Sequence, residues 1–185
     1  MGLKNIRRAT AEDVVVLTQI RNEAHAWKVA HLDYAWGQGG DGVSERWMRN
    51  TVVQKEVYVV ELDGTPAGMF LLDLNDEQRW GPQEPTAAYV HGLSVRTGFN
   101  GQGLGGFMLD SCASKVRGLN RRYVRLDCPA HNAKLCAWYE SLGFIRAGLW
   151  QEPGPGGYVW SLYEKPAHVA STNGVGDVRH RHIAR

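Results

Sequence analysis

The chain has 185 residues, of which 43% are hydrophobic, enough for one domain with a substantial core. Its 21 lysines and arginines against 19 acidic residues leave a formal charge of +2, without the concentrated basic surface of a nucleic-acid binder. Three cysteines, Cys112, Cys128 and Cys136, are odd in number and lack metal-ligand spacing, which argues against a disulfide scaffold and for a reducing, cytoplasmic compartment. Neither an apolar leader nor a bilayer-length run is present, so no membrane association is expected.

In chain order, residues 6–9 read as a short strand. Thr10, three residues before Asp13, marks a helix start, and Val14, Leu17, Ile20 and Arg21 continue at helical spacing. The glycine- and aromatic-rich stretch 31–42 reads as a loop before a second helix near 43–53. Strands over 56–62 and 68–74 flank Asp63-Gly64, a two-residue turn whose members tolerate positive φ. The polar stretch 75–86, with Gly81, Pro82 and Pro85, reads as a loop before a strand over 87–95.

A helix over 103–117 places Leu104, Phe107, Met108, Cys112 and Val116 on one face and ends at Gly118. A strand over 122–127, a helix over 131–142 capped by Gly143, and strands over 144–150 and 158–164 complete the pattern. Residues 1–165 therefore read as one domain, and 166–185 as a flexible tail in which His168, His180 and His182 are solvated rather than metal ligands. No metal is expected. Arg117, Arg121, Arg122 and Arg125 read as a solvated basic face, with a phosphate landing site as the sharper alternative.

The most informative stretch runs from Val95 to Gly106, with four glycines, Gly101, Gly103, Gly105 and Gly106, at a strand-to-helix junction. Glycines let the backbone approach an anion, and a helix N-terminus offers unpaired N–H groups, so a phosphate or diphosphate ligand is expected. A Walker A loop is excluded because Phe107-Met108 follows Gly106 where lysine and a hydroxyl residue are needed. A dinucleotide fingerprint fits better, with Asp127 at a distance suited to a ribose-binding acid. However, Arg96–Asn100 separates strand from loop, and too little chain follows to complete that fold. It remains the oxidoreductase alternative.

Leu93-Ser94-Val95 followed by Asn100-Gly101-Gln102-Gly103-Leu104-Gly105-Gly106 resembles the diphosphate motif of the GNAT N-acetyltransferases. Asn132 through Tyr139 to Gly143-Phe144 resembles that family's second cofactor-contacting helix. The resemblance implies a mixed α/β fold, with a central six- to seven-stranded sheet flanked by about four helices. It also implies acetyl-CoA as acyl donor and direct transfer to a primary amine in a ternary complex. Asn100 departs from the family's usual Arg or Gln, which weakens one side-chain contact and leaves the backbone cradle intact.

By the same resemblance, backbone groups of Leu93 and Val95 bind the pantetheine arm, with the Leu93 N–H nearest the acetyl oxygen. Asn132 would hold the cofactor and Tyr139 would protonate the departing sulfur. His91 is the candidate base, since imidazole titrates near neutrality. It shares strand parity with Tyr89 and Leu93 if no bulge intervenes.

In the family the first two helices, their connecting loop and the last strand pair line the acceptor site, which here supplies Trp27, Tyr34, Trp36 and Trp47, then Trp150, Tyr158 and Trp160. Aromatic walls would suit a ring-bearing or cationic amine, with Asp33 and Asp41 attracting an ammonium. A small-molecule amine is preferred over a protein lysine or N-terminus. A non-catalytic acyl-CoA sensor on the same fold is a further alternative; dimers are common among such relatives, which leaves a homodimer open without the sequence fixing the oligomeric state.

Overall fold

The computed structural model describes residues 2–37, 40 and 42–167. The sheet order is β1-β2-β3-β4-β5-β7-β6, built from β1 (Lys4–Arg8), β2 (Glu56–Leu62), β3 (Thr65–Asp73), β4 (Ala87–Val95), β5 (Tyr123–Pro129), β6 (Ile145–Gln151) and β7 (Val159–Pro166). Only β4 and β5 pair in parallel; every other neighbouring pair is antiparallel. A doubly wound dinucleotide fold needs a mainly parallel sheet. The oxidoreductase alternative falls on that point.

The helices are α1 (Val14–Ala30), α2 (Glu45–Gln54), the single turn α3 (Glu77–Trp80), α4 (Leu104–Gly118) and α5 (Ala133–Ser141). Thr10 and Asp13 form the predicted reciprocal cap, but it closes a 3-10 turn over Ala11–Asp13 that leads directly into α1. Arg7 clamps this turn through paired contacts of 2.7 and 2.8 Å to the Asp13 carboxylate and another of 2.8 Å to Glu61 on β2.

The central strands are apolar on both faces, as a covered sheet requires. Val57, Val59, Met69 and Leu71 face a cluster with Val14, Leu17 and Ile20 of α1 and Met48 of α2. Tyr58, Val60, Phe70 and Leu72 face a second cluster with Leu104, Met108 and Cys112 of α4. Each fully buried side chain of this size contributes roughly 1.5–3 kcal/mol.

Several predicted boundaries shift for physical reasons. β3 begins at Thr65 because Asp63 and Gly64, with φ of 50° and 76°, close a tight hairpin that lets pairing start at once. The loop predicted over 75–86 contains α3, whose start is capped by the Asp76 side chain. Gly118 lies inside α4, and Asn120, with φ of 56°, takes the left-handed turn beyond its end.

β7 continues to Pro166, and Ala167 is buried, so the boundary predicted at residue 165 falls within packed structure. The remainder of the predicted tail, 168–185, lies outside the described residues, with His168, His180 and His182; so does Asp41. Among the described residues no helix is long and apolar enough to cross a membrane.

Candidate active site

The glycine loop turns sharply into α4. Gly101 and Gly103 have φ of 78° and 71°, a region that side-chain-bearing residues rarely occupy. Gly103 caps the helix without any side-chain hydrogen bond, so the first-turn N–H groups are unclaimed by a capping residue. A cavity of about 460 Å³ lies over them, bounded by Phe99, Gly101, Gly103, Gly105, Trp138 and Leu142 among others. A Cβ at Gly105 would come within 2.9 Å of the Trp138 ring, so backbone and indole approach as closely as glycine permits. The donor set is backbone amide plus helix dipole, which fits a diphosphate.

β4 supplies the neighbouring wall. Its parallel pairing with β5 stops at Val90↔Leu126, after which β4 pairs only with β3 and β5 only with β7. The two strands part there, and the β4 backbone over 91–95 faces the gap. A bulge centred on Gly92, with φ of 58°, lies at the parting: Leu71 pairs with His91 while Met69 pairs with Ser94. This breaks the parity expected between His91 and Leu93. His91 stays on the α1–α2 face opposite Leu71, whereas Leu93 and Val95 pack towards α4.

Through the gap the first cavity meets a second, of about 780 Å³; Leu93, Val95, Asn100 and Trp138 line both. Tyr139 and Asn132 line the larger one from α5. Asn132 Oδ1 accepts the Leu135 N–H at 3.0 Å as the helix cap, leaving its amide nitrogen to meet a ligand. Burial pushes the Tyr139 phenol pKa upward, with the charge of nearby Asp127 adding to the effect, so the hydroxyl keeps its proton at neutral pH.

His91 Nε2 lies 3.8 Å from Asp76 Oδ2 and 3.9 Å from Asp73 Oδ2. Asp76, His91 and Asp127 each offer a ligand atom within 4.8 Å of the others, close enough to share one cation. Asp76 Oδ2 is buried without a hydrogen bond. Burial raises the Asp127 pKa, opposed by Arg79 at 3.4 Å and by His91. Arg79 in turn sits over the Trp160 ring, 4.3 Å from its centroid.

The model of the acetyltransferase (GNAT) family matches residues 17–144. The chain belongs to the GNAT acetyltransferases. Solved structures agree on the fold. A GNAT-family acetyltransferase from Listeria monocytogenes is 21% identical, with a TM-score of 0.71 over 88% of this chain and 94% of its own. The ribosomal-protein-S18-alanine N-acetyltransferase from Escherichia coli is 19% identical, with a TM-score of 0.65 over 94% and 100% of the two chains. A ribosomal L7/L12 alpha-N-protein acetyltransferase in complex with coenzyme A is 17% identical, with a TM-score of 0.67 over 88% and 93%. No curated protein matches the chain in sequence.

Acetyl-CoA is thus the donor for this acetyltransferase. Of the residues expected to bind it, Leu93, Val95, Asn100, Gly101, Gly103, Leu104, Gly105 and Gly106 surround the smaller cavity. Ser94 is buried, lines the larger cavity and donates its hydroxyl to the Gly92 carbonyl at 3.0 Å. Gln102 is exposed and lines neither cavity.

Of the residues expected to line the acceptor site, Trp27, Trp36, His91 and Trp160 line the larger cavity, while Tyr34, Trp47, Trp150 and Tyr158 do not. Asp33 does not offer a free charge for an ammonium, because Lys28 holds it at 2.5 Å. Nor is the Trp36 face open to a cation: the Arg21 guanidinium covers it at 3.3 Å. Of the arginine group near 117–125, Arg122 is exposed and the other three make contacts within the fold. Arg121 donates to the Leu74 and Ala87 carbonyls, Arg125 to Glu164 and Tyr89, and Arg117 to Ser114. Asp76 and Arg79 were missed from sequence because 75–86 reads as a polar loop, and Asp73 because it reads as one residue of the strand over 68–74; an aspartate three residues before Arg79 was a cue to the capped turn.

Proposed function

We propose that this acetyltransferase acetylates the primary amine of a small molecule by direct transfer within a ternary complex. One observation carries the reading: Tyr139 and His91 line a single 780 Å³ cavity that opens onto the glycine cradle. An amine can enter from the α1 and β7 side while the coenzyme occupies the gap between β4 and β5. Bound acetyl-CoA supplies an activated thioester carbonyl and a sulfur leaving group.

The chain's own groups divide the remaining work. The first turn of α4 holds the diphosphate through backbone N–H groups, and the free β4 backbone around Leu93 aligns the pantetheine arm. The Leu93 N–H would face the acetyl oxygen and stabilise charge developing there. His91 Nε2 takes the proton lost by the amine, and the Asp73 and Asp76 carboxylates stabilise the resulting imidazolium. The Tyr139 hydroxyl donates its proton to the sulfur.

Direct transfer is favoured over an acyl-enzyme route by the state of Cys128. It lines the cavity, but burial pushes its thiol pKa up, leaving almost no thiolate for attack. A panel of small amines tested with acetyl-CoA, read by thiol release and product mass, should reveal turnover of at least one class. Acetylation confined to protein N-termini or lysines would refute the small-molecule reading, and coenzyme binding without turnover of any amine or protein would indicate a sensor.

A further inference from the structure

The charges lining the larger cavity are unevenly compensated. At the α1 end Lys28 is neutralised by Asp33 at 2.5 Å, and Glu23 by Arg96 at 3.2 Å. Arg21 is different. Its guanidinium lies flat over Trp36, 3.3 Å from the ring centroid, and among the described residues it has no ion pair and no hydrogen bond. Burial alone lowers its pKa to about 10, so it remains charged at neutral pH while partly withdrawn from water. Negative charge gathers around His91. Asp127 lines the cavity beside it, with Arg79 at 3.4 Å, while Asp76, close to both, does not line the cavity and its Oδ2 is buried without a hydrogen bond among the described residues.

We infer that the acceptor is an amino acid or a close analogue, its carboxylate held by Arg21 and its amine placed at His91. This rests on the small-molecule reading above and narrows it. A guanidinium stacked on an indole keeps its N–H donors in plane and at its edge, where a carboxylate can accept two of them. A cation without an ion pair among the described residues and the Asp127 carboxylate, on the wall of one cavity, complement a zwitterion. A purely cationic amine would leave Arg21 unanswered. Placing the amine at His91 also sets it beside the Asp127 carboxylate on the same cavity wall. The aromatic walls, Trp27 and Trp160, then face the amino-acid side chain.

The test compares kcat/KM for amino acids with that for their carboxamides and decarboxylated amines, at fixed acetyl-CoA and read by thiol release. Free acids should be preferred by about 10- to 100-fold, the span expected for a charge-assisted contact. Arg21→Gln should bring that ratio close to unity, and Arg21→Lys should retain part of it. Lys134→Gln removes another cation lining the same cavity and should leave the ratio standing.

Tryptophan fluorescence provides a readout independent of turnover, since the acid should perturb Trp36 saturably and the carboxamide should not. Equal rates for acids and amides overturn the inference while leaving the small-molecule reading intact. Collapse of the ratio in Lys134→Gln but not Arg21→Gln overturns the assignment to Arg21, as does an Arg21→Gln effect confined to the KM for acetyl-CoA. If no amine turns over, the broader reading fails; fluorescence then decides this one, with no saturable response to any acid sinking it as well.

Discussion

Replacing Tyr139 by phenylalanine removes one oxygen from a ring that is 7% exposed and packed by aromatic neighbours. Trp138, Phe144 and Tyr163 lie with ring centroids at 5.0, 5.8 and 6.0 Å, and all three contacts survive in the variant. The described structure shows no hydrogen bond from the hydroxyl within the protein, so its loss leaves no partner stranded. Stability should therefore stay within about 0.5 kcal/mol of the parent.

Catalysis should respond very differently. A positioned general acid contributes about 10²- to 10⁴-fold, so kcat should fall by that factor, equivalent to about 2.7–5.5 kcal/mol of barrier. Because burial raises the phenol pKa, the protonated donor form persists well into the alkaline range, and Tyr139 should impose no alkaline limb near neutrality. Thiol release across pH, with thermal melts alongside, separates the two effects. An unchanged kcat with an unchanged melt would refute the role of Tyr139.

Three further outcomes follow from other parts of the structure. His91→Gln should lower kcat/KM by about 10²-fold or more, as loss of a positioned base does; a rate equal to the parent's would remove His91 from proton transfer. Gly105→Ala places a Cβ 2.9 Å from the rigid Trp138 ring, and should raise the KM for acetyl-CoA by about tenfold with a packing cost of about 1–3 kcal/mol, whereas Gly106→Ala meets only Leu142 at 3.9 Å and should cost less stability. Equal melting temperatures for the two alanine variants would contradict the close approach at Gly105.

The third concerns acid stability. Arg7 holds the Asp13 carboxyl below its ordinary range, so the stabilisation is complete above the unfolded value of about 3.9 and fades as pH falls through the folded one. Asp13→Asn should thus destabilise most above pH ~4 and progressively less below it. A destabilisation that is constant with pH would show that the ion pair is not its source.

Legibility tracked locality. The ranges 56–62 and 87–95 match β2 and β4 because turn residues bound both runs, and Asp63-Gly64 announced its hairpin. The glycine loop was equally plain, since four glycines before an apolar helical face have few uses. What escaped depended on contacts between distant segments. Gly92 is a single glycine in an apparent strand, yet its bulge sends His91 and Leu93 to opposite faces. Asp33 looked available for an ammonium until Lys28 closed on it. Arg21 already stood at the core-facing spacing of Val14 and Leu17, but only the fold shows that this position lines a cavity and has no ion pair among the described residues. Asp127 was a plausible ribose ligand in sequence; the sheet places it beside His91 and Asp76 instead.

The most direct test of the account is calorimetric titration of the protein with acetyl-CoA and, separately, with acetyl-pantetheine, which lacks the diphosphate and the phosphoadenosine beyond it, with 3′-phosphoadenosine alone as the control for the latter. If the amides opening α4 grip that diphosphate, acetyl-CoA should bind at least about 100-fold more tightly, as two charge-assisted contacts would provide. Equal affinities, or no heat of binding with acetyl-CoA, would contradict it.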